Sequence, residues 1–330
     1  MKQSLFLFVF LLSLAAYPQS AKEKGLQTIN KQAAEAHVGF LASDALEGRQ
    51  AGHRGGRIAA GYIKSQLQAI GVSPYRETYF QHFEAYKADG RKRYSVNPDS
   101  IAKWTAGKTY SKVDLQNVFG VIEGKNESGF VVVGAHYDHL GIGEAVNGDS
   151  IYNGADDNAS GVSAVLQIAK AFVESGQQPE RTIIFAFWDG EESGLLGSEY
   201  FMLNCPVTSQ IKAYLNFDMI GRNNDESNPE HVVFFYTDSR PAFGDWLRND
   251  IRDYGLNLKP DYRPWDKPVS GSDNGSFAKR GVPILWYHTD GHPDYHKPGD
   301  HTDKINWNKL VDITKAAYLN TWNLANSDAY

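Results

Sequence analysis

The chain has 330 residues, 42% hydrophobic and 22% charged, with one cysteine and a formal net charge of −6. Such ordinary globular composition excludes a disordered chain, a collagen-like repeat and a disulfide-stapled miniprotein, and the length suffices for one large α/β domain or two ordinary ones. The acidic balance, with no basic stripe, argues against nucleic acid as a partner; the one compact basic run, Arg91-Lys92-Arg93, reads as a solvated loop.

Lys2 precedes an apolar run over residues 5–16, followed by Pro18, Gln19, Ser20 and Ala21. This pattern predicts an export signal over residues 1–21, too short for a stable membrane anchor, and a secreted or periplasmic mature chain from residue 22 to 330. Cys205 has no second cysteine to pair with. Apolar residues at helical spacing predict helices over 29–41 and 57–70, flanking the turn-rich Ser43-Asp44-Ala45-Leu46-Glu47-Gly48-Arg49. Strands are expected over 117–123 and 130–135, joined by the turn Gly124-Lys125-Asn126, whereas 75–112 is compatible with strand, lid or both. Helices at 162–173 and 195–203 then alternate with strands at 182–188 and 213–217. A strand at 232–236, a helix at 241–254, a strand at 283–288 and a closing helix at 307–324 complete the chain. That alternation predicts an α/β fold of three layers, a mostly parallel mixed central sheet with helices on both faces.

In open α/β sheets ligands bind beyond the carboxyl ends of the strands. Here those positions carry His136-Tyr137-Asp138, Asp156-Asp157, Asp189-Gly190-Glu191-Glu192, Asp218, and then His292 and His296. One acidic residue after a strand is usually a helix cap or turn former. A series of histidines and carboxylates without thiolates suits zinc or a similar divalent ion, and several carboxylates suit two metals sharing a bridge, so the site reads as hydrolytic. Other chemistries fail on pattern. Gly291, Pro293 and Pro298 preclude a helix carrying His288, His292 and His296; Gly271-Ser272-Asp273-Asn274-Gly275 lacks the spacing of a serine nucleophile elbow; and Gly141, Gly143 and Gly148 do not open a helix after a strand, as a dinucleotide loop requires.

These residues resemble a known family, the secreted di-zinc aminopeptidases of the aminopeptidase S and aminopeptidase Y types and, more distantly, glutaminyl cyclases. The resemblance rests on Asp44-Ala45-Leu46-Glu47-Gly48-Arg49, Gly134-Ala135-His136-Tyr137-Asp138-His139-Leu140-Gly141, Gly154-Ala155-Asp156-Asp157-Asn158-Ala159-Ser160-Gly161, Asp189-Gly190-Glu191-Glu192-Ser193-Gly194, Asn216-Phe217-Asp218-Met219-Ile220-Gly221 and Asp294-Tyr295-His296-Lys297-Pro298, in family order. It departs at Asn274, where many relatives have histidine, which bears on substrate contacts and not on the metal ligands.

The resemblance implies that His136 and Asp218 bind one zinc, Glu192 and His296 a second, and Asp157 both. Motif register alone selects Asp157 over Asp156, and the bond from Asp157 to Asn158 is expected to be cis. Asp138 would orient His136 from behind, and Glu191 would act as general base on a water activated by the two Zn2+ ions. Tyr295 is open between an oxyanion contact and packing beside His296. For His139, His288, His292 and His301, hydrogen-bonding or surface roles stand level with substrate contacts. The implied activity is an exopeptidase taking residues from peptides with a free N-terminus, and ligands drawn from His136 to His296 to one site imply a single zinc-dependent peptidase domain over residues 22–330. The alternatives are a glutaminyl cyclase with one zinc, or a non-catalytic binding domain, which predicts lost ligands where none is missing.

Overall fold

The computed structural model describes residues 19–126, 129–206, 208–267 and 271–328, so residues 1–18 of the expected export signal lie outside the described residues. The chain opens with α1 (Ala21–Leu26), closed by a reciprocal capping box between Ser20 and Glu23, and α2 (Lys31–Leu41), capped by Asn30. A 3-10 turn, Asp44–Arg49, leads into α3 (Arg54–Ala69), whose buried stripe of Ala59, Ala60, Ile63 and Leu67 has the helical spacing the sequence shows. The segment with the open reading resolves into β1 (Ser73–Pro74), β2 (Phe80–Ala88), α4 (Pro98–Gly107) and the start of β3 (Tyr110–Ile122). Next come β4 (Phe130–His136), the hairpin β5 (Gly141–Val146) and β6 (Asp149–Tyr152), a π-type turn over Ala155–Ser160, α5 (Gly161–Ser175) and β7 (Thr182–Trp188). They are followed by α6 (Leu196–Asn204), β8 (Ile211–Phe217), β9 (His231–Tyr236) and α7 (Ala242–Tyr254). The last elements are β10 (Lys259–Pro264), α8 (Asn274–Ala278), β11 (Ile284–His288) and α9 (Trp307–Asn326).

One mixed sheet runs β1-β3-β7-β4-β8-β11-β9-β10, with β2 also paired to β3. The four central strands β7, β4, β8 and β11 are mutually parallel, and β10 is parallel to β9. The other pairings, β1 and β2 with β3, β3 with β7, and β9 with β11, are antiparallel, so the parallel character is concentrated at the centre.

Alternation along the central strands divides two cores. Val131, Val133 and Ala135 of β4 and Ile183, Phe185 and Phe187 of β7 pack with α2, α3, α5 and α9 on one face. Val132, Ile184, Ala186 and Trp188 face the opposite layer, where Phe201 of α6 and Phe277 of α8 meet them. Helices thus cover both faces, and β4 and β7 are buried on both sides, which is why they read as unbroken apolar runs. No helix among the described residues is long and apolar enough to cross a membrane.

Candidate metal centre

Strand register assembles the site before any side chain is considered. His136 pairs with Trp188 across β4 and β7, so the Asp189-Gly190-Glu191-Glu192 turn begins level with His136. On the other side Gly134 pairs with Asn216, which carries Asp218 to the same level two residues on. The π-type turn before α5 brings in Asp157, and the loop after β11 returns His296, with no helix between residues 289 and 301. Gly154 opens that turn at φ 59°, and a Cβ there would collide with the Asp157 carbonyl and approach the His139 ring to 2.6 Å. Glycine is the residue this position tolerates. The Asp157-Asn158 bond is cis.

Asp157 divides its carboxylate. Its Oδ1 lies 3.3 Å from His136 Nε2, which is also 3.6 Å from Asp218 Oδ1. Its Oδ2 lies 3.3 Å from His296 Nε2, which is 3.2 Å from Glu192 Oε2. Asp156 points elsewhere: its Oδ1 accepts from Gly221 N at 2.6 Å and its Oδ2 lies 3.4 Å from His292. Ligand bonds of about 2.0–2.1 Å at tetrahedral angles separate neighbouring ligand atoms by about 3.3–3.4 Å. The observed spacings match that figure, and Asp157 Oδ1 is buried with no hydrogen-bond partner. The residues therefore fit metal binding. By mutual distance of their ligand atoms, His136, Asp157 and Asp218 form one candidate group and His139, Asp157 and Glu192 another.

His139, whose role the sequence left open between hydrogen bonding and substrate contact, takes the hydrogen-bonding one. Its Nδ1 donates to Glu192 Oε1 at 2.7 Å, leaving Oε2 turned to His296. Its signal was its position three residues after His136 in the same motif. Asp138 acts through two different atoms. Its carbonyl accepts from His136 Nδ1 at 3.1 Å, while its carboxylate Oδ1 accepts the Glu191 N–H at 3.0 Å and lies 3.7 Å from His136 Nδ1. Asp300, unforeseen in the sequence, accepts the N–H groups of Asp156 at 2.9 Å and Asp157 at 3.0 Å. His288 donates Nδ1–H to the Asp218 carbonyl at 2.6 Å, and Tyr295 stacks on His296 with ring centroids 3.8 Å apart. His301 sits against Asp149 at 3.1 Å.

The field in the cluster is strongly polarised. Burial opposes ionisation of Asp157, yet His139, His136 and His296 hold it well below the usual carboxylate range. Burial also works against protonated His296, but Asp157 and Glu192 push it up to about 10. Glu191 goes the other way, well above the carboxylate range, chiefly because of burial, with Asp218, Asp273 and Glu192 raising it against the opposing effect of His136. Glu191, Met219, Trp286 and His288 join the candidate ligands around a cavity of about 250 Å³. A set of carboxylates and imidazoles facing one opening can hold cations, with one carboxylate beside them free to exchange protons.

Known proteins give this geometry a context. Leupeptin-inactivating enzyme 1 of Streptomyces exfoliatus is 28% identical over 258 residues, covering 76% of this chain and 47% of that protein, so the chain spans about half the relative's length. The fold is shared with the LapA aminopeptidase of Legionella pneumophila at TM-score 0.69 and 23% identity, over 93% of this chain and 75% of that one. It is also shared with a glutaminyl cyclase of Porphyromonas gingivalis at TM-score 0.65 and 17% identity, over 89% of this chain and 98% of that one. The sequence profile of peptidase family M28 matches residues 117–320, the stretch that carries the whole cluster from His136 to His296, and the chain belongs to that family.

Proposed function

We propose that the protein is a zinc-dependent aminopeptidase that uses two metal ions to remove N-terminal residues from peptides, acting after export as a secreted or periplasmic enzyme. The observation that carries this reading is the division of the Asp157 carboxylate between His136 and His296, each of which faces a second carboxylate. His136 and Asp218 would hold one ion, Glu192 and His296 the other, and Asp157 both. Their three carboxylates leave one positive charge on a pair of Zn2+ ions, which suits one further anion. Bound zinc supplies Lewis acidity, lowering the pKa of water and polarising the scissile carbonyl. Glu191 takes the proton from the attacking water on its carboxylate and delivers it to the leaving amine nitrogen. Asp138, through the Glu191 N–H, fixes the turn that aims this carboxylate. His139 keeps Glu192 turned toward His296.

A panel of aminoacyl-arylamides and N-blocked peptides, assayed with and without chelator, tests the reading. Cleavage confined to substrates with a free amine and abolished by chelator is the expected result. Cleavage of blocked peptides, or activity untouched by chelator, contradicts it. The glutaminyl cyclase fold match keeps a second reading in the test, that of a single-zinc cyclase. Cyclisation of N-terminal glutamine without peptide hydrolysis would establish it instead.

A further inference from the structure

The turn Asp44–Arg49 has no part in the chemistry above, yet Arg49 at its end is 1% exposed. Each of its five N–H groups meets a backbone carbonyl. Nε donates to Tyr137 at 2.9 Å, Nη1 to Leu41 at 2.6 Å and Asn153 at 2.5 Å, and Nη2 to Gly154 at 2.9 Å and Asp157 at 3.4 Å. The Arg49 carbonyl in turn accepts the His139 N–H at 3.2 Å. No carboxylate is among these partners. An arginine buried at this cost usually has an ion-pair partner, and here the compensating anions are set back from it. They are Asp157, Asp300, Asp138 and Glu192, which are ligand candidates or lie directly behind them.

We infer that Arg49 is a positioning residue for the metal pair, a strut between the end of β4 that carries His136 and the turn that carries Asp157. Two features separate this from ordinary core filling. The guanidinium reaches Tyr137 on one side and Asn153, Gly154 and Asp157 on the other, so its planar fork sets the distance between the two segments. Its charge also sits among the ligand carboxylates without occupying any of their oxygens, which stay free for metal. Lysine keeps the charge but cannot supply five donors in one plane. The turn itself is shaped to deliver this side chain. Gly48, at φ 65°, lies so close to the Gly141 carbonyl that a Cβ would collide with it, which places Arg49 under the β5–β6 hairpin.

The inference rests on the two-metal reading, and its test keeps the two apart. Zinc content and zinc release to a chromophoric chelator are measured on the full chain, on Arg49→Lys and on Arg181→Lys. Arg181 serves as the control because it is also buried, clamps the Leu324 carbonyl at 2.8 Å and precedes β7, at the strand end opposite the cluster. Arg49→Lys is expected to weaken zinc binding by about tenfold or more and to lower kcat with KM held within about twofold, whereas Arg181→Lys leaves zinc binding within about twofold of the parent. Zinc binding in Arg49→Lys within about twofold of the parent overturns the inference, and so does an equal loss in Arg181→Lys. Should Arg49→Lys fail to fold without metal, saturating zinc is expected to restore the fold, and failure to do so overturns the inference. A parent chain that binds no zinc would instead remove the two-metal reading on which this rests.

Discussion

Glu191 and Glu192 are neighbours in sequence with opposite electrostatic fates. Burial pushes both up and leaves Glu191 raised despite His136, with nearby carboxylates adding to the rise, while the His139 and His296 imidazoles bring Glu192 below its ordinary value. Two titratable groups driven apart by their surroundings suit the roles proposed for them, a proton carrier and a ligand. Glu191→Gln is therefore expected to retain zinc and fold while kcat falls by about 10²–10⁴. Turnover close to the parent, or loss of zinc, would reassign the residue. At this scale the sequence was informative about residue types and poor about partners. The strand ends pointed to a wider set, from His136-Tyr137-Asp138 and Asp156-Asp157 to His292 and His296, and the family resemblance narrowed it to His136, Asp157, Glu191, Glu192, Asp218 and His296. His139, Asp300 and Arg49 act through hydrogen bonds to groups that the fold brings near, and only the fold supplies those partners.

Elements with strong periodicity were legible and edge elements were not. β4 and β7 are apolar throughout because both faces are covered. β10, by contrast, is an edge strand with Pro260 and Pro264 in it, a composition that conceals a strand. β2 is also peripheral, with few buried positions. Among the helices, α7 and α9 meet through a buried polar contact in which Asn320 donates to Asp250 at 3.3 Å. Burial raises the Asp250 carboxyl from 3.8 to about 6, only partly relieved by Lys22 and Asn320. The folded state therefore binds the proton more tightly than the unfolded one, and stability is lost as pH rises from about 4 through about 6. Asp250→Asn removes that loss, so its stability relative to the parent should grow over this window by an amount on the order of 2 kcal/mol. Urea unfolding of both proteins at the two ends of the window measures it, and a constant difference would contradict the assignment.

At the scale of the molecule, the sheet is what converts a scattered sequence signal into a site. Strands far apart in the chain end level with one another in register, and residues separated by up to 160 positions, from His136 to His296, face one cavity. The rule that ligands gather beyond the carboxyl ends of parallel strands made this readable in advance. On the proposed reading the same geometry couples metal to stability, since ions held by the segments that follow β4, β7, β8 and β11 would tie the end of the sheet together. Removing zinc should therefore lower the melting temperature as well as the activity, and an unchanged melting temperature would mean that the loops are held without metal. The two-metal reading is tested most directly by the zinc content of the purified chain, followed through stepwise chelation alongside aminopeptidase activity. Two zinc ions per chain, with activity lost as they are removed, is the predicted result; full activity with a single bound zinc, or with none, would contradict it.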